Sequence, residues 1–163
     1  MINKFAVGSP LLIVLVALQG CASPTEPSPG GNEIYKLSEL DISGGIVLID
    51  FMATWCGPCR AQINELKKVY EGYGDKIEIL SVDISTWETE GQLADFKRNT
   101  GAEWKFAFDD IGLSKDYDVT SIPTLIILKD GEEEFSHKVV TSSSALISEL
   151  DTLLETDGSH YSI

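Results

Sequence analysis

The chain is poor in cysteine, histidine, proline and positive charge, and each shortage excludes something. Three cysteines, Cys21, Cys56 and Cys59, cannot build the bridge framework of a small disulfide-rich domain. A structural metal site takes four ligands, and only His137 and His160 stand beside the cysteines and the acids, so no metal is expected. Twelve Lys and Arg against 26 Asp and Glu give a net charge of −14, which argues against nucleic acid or an anionic membrane surface as the partner. Lys4 is the only base before Cys21 and no acid precedes Glu26, so taking away Lys4's single positive charge leaves −15 from Cys21 onward. That acidity serves solubility; a basic partner docking on an acidic face is the other reading. Of six prolines, Pro10, Pro24, Pro27 and Pro29 lie early, which leaves Pro58 and Pro123 for the folded part. The apolar run Phe5–Leu18 is about 14 residues, short of the roughly 20 that span a bilayer.

What is there begins with that run. A positive Lys4 followed by a short apolar stretch has the form of a signal peptide over residues 1–20. It ends in Leu18-Gln19-Gly20-Cys21. From Cys21 the chain continues over 22–32 with Ala-Ser-Pro-Thr-Glu-Pro-Ser-Pro-Gly-Gly-Asn, so that 21–32 has the composition of a flexible tether. A folded domain is expected over 33–156, with a frayed tail at 157–163.

The centre of that domain is Ile46-Val47-Leu48-Ile49-Asp50-Phe51-Met52, an apolar run with β-branched residues that reads as a buried strand. Ala53-Thr54-Trp55-Cys56-Gly57-Pro58-Cys59 follows at once, and Cys59, Ile63, Leu66 and Val69 then recur at helical spacing. Cys56 thus stands at a helix N-terminus. Free N–H groups and the helix dipole there favour a thiolate, the reacting form of cysteine. Cys56 is the candidate nucleophile and Cys59 the resolving thiol. Pro58 suits a first helical turn, where its missing N–H costs nothing. Asp50 is out of place in an apolar strand, and burial there raises its pKa. An exposed acid at a strand end is the alternative.

The rest alternates. Ile34–Leu37 reads as an edge strand and Ser38–Leu40 as a turn of helix. The helix after Cys56 is expected to stop at Gly72–Gly74, before a strand over Ile77–Val82. A further segment, Ser85–Asp110, holds a helix expected over Glu88–Asn99 and a strand over Trp104–Phe108. Leu113–Asp118 reads as a short helix and Thr124–Leu128 as a strand. Asp130-Gly131 is a hairpin signal, with Phe135–Val140 as the returning strand. Ser142–Leu154 is a closing helix with Leu146, Leu150, Leu153 and Leu154 on one face. Strand, helix, strand in order implies parallel pairing with a right-handed crossover.

Asp50-Phe51-x-Ala53-x-Trp55-Cys56-Gly57-Pro58-Cys59, with Ile122-Pro123-Thr124 downstream, closely resembles the active-site segments of thioredoxin. A bare Cys-x-x-Cys would be weak, since zinc ribbons and haem attachment sites share it. The extra helix and strand at Ser85–Asp110 resemble the TlpA/ResA-like branch, membrane-tethered thiol–disulfide oxidoreductases that act outside the cytoplasm, in cytochrome c maturation among other processes. Leu18–Cys21 resembles a lipoprotein box, with Cys21 receiving the lipid; an ordinary cleaved signal or a short uncleaved anchor are the alternatives.

The resemblance implies an α/β thioredoxin-like fold, a central mixed β-sheet flanked by helices with an inserted helix–strand segment. It implies a Cys56–Cys59 redox disulfide, Asp50 behind Cys59 as its proton acceptor, and Pro123 as a cis-proline. Trp55, Gly57, Pro58, Ile122 and Pro123 become the surface that meets substrate, with Ile122 offering backbone to an extended chain. The implied enzyme needs no bound cofactor, acts as a monomer on protein disulfides, takes electrons from a membrane thiol relay, and sits lipid-anchored on the outer face of the cell membrane. An oxidase or isomerase, or a non-catalytic lipoprotein binding a partner or metal through the same groove, are the rival functions. Gln62 departs from the branch, many of whose members carry glutamate three residues after the second cysteine; here Asp50 is left as the candidate acid.

Overall fold

The computed structural model describes residues 31–158; Cys21, the signal-peptide reading and His160 lie outside them. Six strands form one sheet: β1 (Ile34–Lys36), β2 (Ile46–Met52), β3 (Glu78–Asp83), β4 (Lys105–Phe108), β5 (Thr124–Lys129) and β6 (Glu132–His137). Their spatial order is β1-β4-β3-β2-β5-β6. β2 pairs parallel with β3 and antiparallel with β5, so the sheet is mixed and β2 lies inside it. The helices are α1 (Gly57–Tyr73), α2 (Glu90–Thr100), α3 (Leu113–Asp116) and α4 (Ser143–Gly158), with a single 3-10 turn over Leu37–Glu39. The inserted helix and strand are real elements: β4 fills the place between β1 and β3.

Every residue of β2 is buried, because both sheet faces are covered. Alternation splits its side chains between two cores. Ile46, Leu48 and Met52 join Cys59, Ile63, Leu66, Leu93, Trp104, Leu146 and Leu150 under α1, α2 and α4. Val47, Ile49 and Phe51 join Leu37, Leu80, Val82 and Leu113 on the other face. By the same alternation Asp50 belongs to the first face, the one that carries Cys59.

Several boundaries differ from expectation, and capping or turn chemistry explains them. α2 starts at Glu90, not Glu88, because Thr89 caps it: Gln92 N–H donates to Thr89 Oγ1 at 3.4 Å and Thr89 N–H donates to Gln92 Oε1 at 2.9 Å. Gly101, left-handed at φ 66°, stops it as expected. α3 is two residues shorter than expected. Asp109 accepts the Leu113 and Ser114 N–H groups at its start, and Asp118 turns left-handed at φ 48° beyond its end. α4 continues to Gly158, past the expected end at Leu154.

The largest shift is in β6, which begins at Glu132 where the apolar pattern suggests Phe135. Asp130 and Gly131 both have positive φ, 51° and 82°, a two-residue turn that pairs Lys129 with Glu132 immediately. Pairing then runs Leu128 with Glu133 and Ile127 with Phe135, so Glu134 is bulged out of register. Turn geometry, not side-chain polarity, sets where this exposed edge strand starts. A Cβ on Gly131 would meet nothing closer than Ser43 O at 3.6 Å, so its cost is conformational alone. Gly131→Ala is expected to lower unfolding stability by about 1–2 kcal/mol in urea titration; no measurable loss would mean the turn does not hold the register.

Candidate functional site

The site is built where β2 ends and α1 begins. Cys56 is the N-cap of α1 and Pro58 stands in its first turn. The backbone leaves the strand through a tight bend, with Cys56 N–H donating to Ala53 O at 3.1 Å. Cys56 and Cys59 form a disulfide with their Cα atoms 5.3 Å apart. Cys59 N–H donates to Cys56 Sγ at 3.1 Å, so one unpaired donor of the helix start already points at the sulfur that would carry negative charge on reduction. Cys59 is fully buried, and Cys56 shows only an edge, 4% of its surface. That asymmetry is the one expected if Cys56 attacks and Cys59 resolves.

The Ile122–Pro123 peptide is cis, and Ile122 O lies 3.8 Å from Cys56 Sγ. Residues 66 positions apart therefore meet at the sulfur. Trp55 stands beside it with 61% of its surface in water. Gly57 and Pro58 are exposed on the same rim.

Asp50 is wholly buried, and desolvation pushes its pKa up from 3.8 to about 7. Ser81 Oγ–H donates to its Oδ2 at 3.3 Å, while Oδ1 has no hydrogen-bond partner. Ser81 sits directly opposite Asp50 in the β2–β3 register, and the buried Trp104 donates its indole N–H to Ser81 Oγ at 3.0 Å. With one of its lone pairs taken by Trp104, the Ser81 hydroxyl gives its proton to Asp50. Neither Ser81 nor Trp104 is evident as a site residue from sequence, because the parallel register that aligns them is a tertiary fact.

A second buried acid lies behind the bend. Asp83 is buried, and desolvation together with the neighbouring Glu88 carboxyl raises its pKa to about 7. Glu88 in turn accepts Thr54 N–H at 3.1 Å and the Thr54 hydroxyl. Arg60 donates to Thr54 O at 3.3 Å and lies 4.6 Å over the Phe96 ring. Thr54 is thus gripped at both its backbone groups, one residue before Trp55. The capping box at Thr89 was the available clue: it puts Glu88 outside the helix, free to reach Thr54.

Gln62 is buried and structural. Its Nε2 donates to Thr141 O at 3.1 Å and its Oε1 accepts Thr141 N–H at 2.7 Å, which ties α1 to the segment entering α4. His137 is exposed and its Nδ1 lies 2.8 Å from Thr141 Oγ1.

A family model described as thioredoxin-like matches residues 44–134. The chain belongs to the thioredoxin-like family. Among characterised relatives it is 34% identical over 96 residues to the thioredoxin-like protein YneN of Bacillus subtilis, a match covering 58% of this chain and 56% of that one. It is 36% identical over 93 residues to the thioredoxin of the same organism, covering 56% and 66%. The matches thus span a little over half to about two thirds of those relatives' own lengths. Among solved structures, a thiol:disulfide interchange protein DsbE of Chlorobium tepidum superimposes with TM-score 0.59 at 25% identity, covering 68% of this chain and 80% of that one. StoA from Bacillus subtilis gives TM-score 0.58 at 23% identity, covering 66% and 84%. These neighbours and the inserted α2–β4 segment agree with the thioredoxin superfamily and its TlpA/ResA-like branch.

The buried acid has a measurable signature. Between 3.8 and about 7 the folded protein keeps a proton on Asp50 that the unfolded chain has lost. Stability therefore falls as pH rises through that window, by about 1.4 kcal/mol per unit and about 4 kcal/mol in all. Asp50→Asn, which cannot ionise, is expected to be more stable than the wild-type protein at pH 8 and to lose more than half of that advantage by pH 5. Parallel denaturation curves from pH 5 to 8 would show otherwise if Asp50 were solvated.

Proposed function

We propose that the chain is a thiol–disulfide oxidoreductase that reduces disulfides in protein substrates outside the cytoplasmic membrane, tethered there by lipid on Cys21. The observation that carries the chemistry is the Cys56–Cys59 disulfide at the N-terminus of α1, with only the edge of Cys56 in solvent, on the sheet face that holds Asp50.

The reaction starts from the dithiol. Cys56 thiolate attacks one sulfur of the substrate disulfide; a Cys56–substrate bond forms and the other substrate sulfur leaves as thiolate, taking up a proton. Cys59 gives its proton to Asp50 and attacks Cys56 Sγ. The Cys56–Cys59 bond forms, the mixed disulfide breaks, and the second substrate thiol leaves. Two electrons have passed from the dithiol to the substrate. A donor dithiol, for which a membrane thiol relay is the fitting class, restores the reduced pair by the same exchange. A carboxyl that titrates near neutrality can accept the Cys59 proton and release it at ambient pH. Gln62 is occupied by Thr141, which leaves this proton to Asp50.

What separates the cysteines supports the reducing direction. Gly57 and Pro58 add no charge and no side-chain donor. Nothing between the cysteines over-stabilises the thiolate, so the reduced form is not favoured and the disulfide is hard to reduce. Cytochrome c maturation is one process that uses such a reductant.

Location rests on the Leu18–Cys21 box and the Pro-rich residues 22–32. Among the described residues no helix is long and apolar enough to cross a membrane, so a tether would have to come from elsewhere in the chain. Mass spectrometry of the membrane-extracted protein is expected to find a mature N-terminus at an acylated Cys21; an unmodified Cys21 or cleavage at another position would remove the anchor.

Equilibration with glutathione or dithiothreitol buffers is expected to give a potential close to thioredoxin's, about −270 mV, and far from DsbA's, about −120 mV. A value near the latter would replace the reductase with the oxidase or isomerase reading.

A further inference from the structure

Two of the chain's three tryptophans stand largely in water. Trp55 is 61% exposed and Trp87 is 64% exposed, while Trp104 is buried. Large aromatic surfaces left in solvent mark contact sites when they cluster around a concavity, and these two do. They line one groove of about 500 Å³ with Ile84 and the Val119–Ile122 segment, a size typical of ligand clefts. Two of its lining residues adjoin the reactive sulfur. Trp55 immediately precedes Cys56, and Ile122 O lies 3.8 Å from Cys56 Sγ.

The far wall comes from a different source. Trp87 lies in the connection from β3 to α2, the leading edge of the inserted segment. This connection is not free to swing. Its next residue, Glu88, bonds both the N–H and the hydroxyl of Thr54. Two exposed tryptophans are therefore joined through Thr54 and Glu88, each adjacent in sequence to one of them. The spacing of the groove's walls is held by the same contacts that hold the bend before Cys56.

The lining has a definite chemistry. It contains Trp55, Ile84, Trp87, Val119 and Ile122, and its polar members are Ser85, Thr86, Thr120 and Ser121. No charged side chain is among them. The acids that adjoin it in sequence are Asp83 and Glu88 on the insert side and Asp118 on the other; the nearby cations are Arg60, at Thr54 O, and Lys138, which donates to Asp118 O at 2.9 Å. An apolar side chain entering from a substrate would meet aromatic and aliphatic surface. An acidic one would be desolvated between walls backed by carboxylates, within a chain of net charge −14.

We propose that Trp87 determines substrate specificity: the inserted segment supplies the second aromatic wall of the groove, which accepts an extended cysteine-containing segment of a substrate protein whose residues flanking the cysteine are apolar or aromatic, and disfavours acidic flanks. This rests on the oxidoreductase reading above and adds the side-chain class that the site selects.

The test uses short peptide disulfides that differ only in the residues flanking the cysteine, Phe, Ala or Asp, together with one small disulfide that has no flanks. The wild-type protein is expected to favour Phe over Ala by about tenfold in kcat/KM, the discrimination an apolar pocket supplies, with Asp slower than Ala. Trp87→Ala is expected to bring the Phe-to-Ala ratio close to one, and Trp87→Phe to restore most of it. Because only ratios are read, a general loss of activity does not imitate the result. Equal rates for Phe and Ala in the wild-type protein, or a ratio that survives Trp87→Ala, would overturn the groove while the small disulfide still reports reduction. Titration with the same peptides carrying serine for cysteine reads binding without chemistry. Were the protein to reduce nothing, a Phe preference in that titration that Trp87→Ala removes would uphold the groove against a failed oxidoreductase reading, and its absence would overturn both.

Discussion

A carboxyl group placed inside a strand with no water beside it constrains everything around it. Asp50 lies in β2, where all seven residues are buried, and one of its oxygens has no partner. Apolar residues at that position would make a more stable sheet; a single weak donor, Ser81 Oγ–H, is what the fold provides. The surrounding structure keeps the acid from being either solvated or fully paired. Trp104 occupies one Ser81 lone pair and fills the space behind it, within an aromatic group in which its ring lies 5.7 Å from Tyr70 and 6.2 Å from Phe106. Phe106 belongs to β4, so the inserted strand contributes to the packing that keeps Asp50 dry.

The insert is thereby connected to the site twice, once through the core and once at the rim. In the core its strand carries Phe106, and Leu93 and Phe96 of α2 pack on the same side. At the rim Glu88 holds Thr54. A connection of this kind makes the bend before Cys56 a supported loop instead of a free one. Backbone that must present a nucleophile reproducibly gains from such support, because misplacement by a fraction of a bond length weakens exchange. The same ties mean that a change in the insert reaches the thiols without touching them.

The parts of this arrangement that could be read from sequence are those written locally. Cys56, Gly57, Pro58 and Cys59 are adjacent, and the strand-to-helix switch around them shows in the change of apolar period. Asp50 stands out because its neighbours are apolar. The cis bond at Pro123 came only with the resemblance. What could not be read depends on register between distant segments. Ser81 is an ordinary strand serine until β2 and β3 align it with Asp50, 31 positions away. Trp104 is expected to open a strand but stands just before β4, and its indole partner belongs to β3. β6 starts three residues before its apolar pattern because its exposed Glu132-Glu133-Glu134 start has no such pattern, and its position is dictated by the φ values of Asp130 and Gly131. Glu88 suits a helix by composition, although the Thr89–Gln92 box starts the helix only after it.

Asp50 and Asp83 share more than a raised pKa. Asp50 pairs with Ser81 and Met52 pairs with Asp83, so the two carboxyls occupy one face of the sheet two residues apart along neighbouring strands, the face under Cys59. Reduction adds two ionisable thiols to that face. Each negative charge formed there opposes the next, since little water intervenes to screen it. Thiols and carboxyls that interact release protons as a coupled set, and the apparent values then belong to the set and not to single residues. In the exchange proposed above the Cys59 proton passes to a carboxyl on this face, and burial that would be a defect in a structural strand is then what gives the proton somewhere to go.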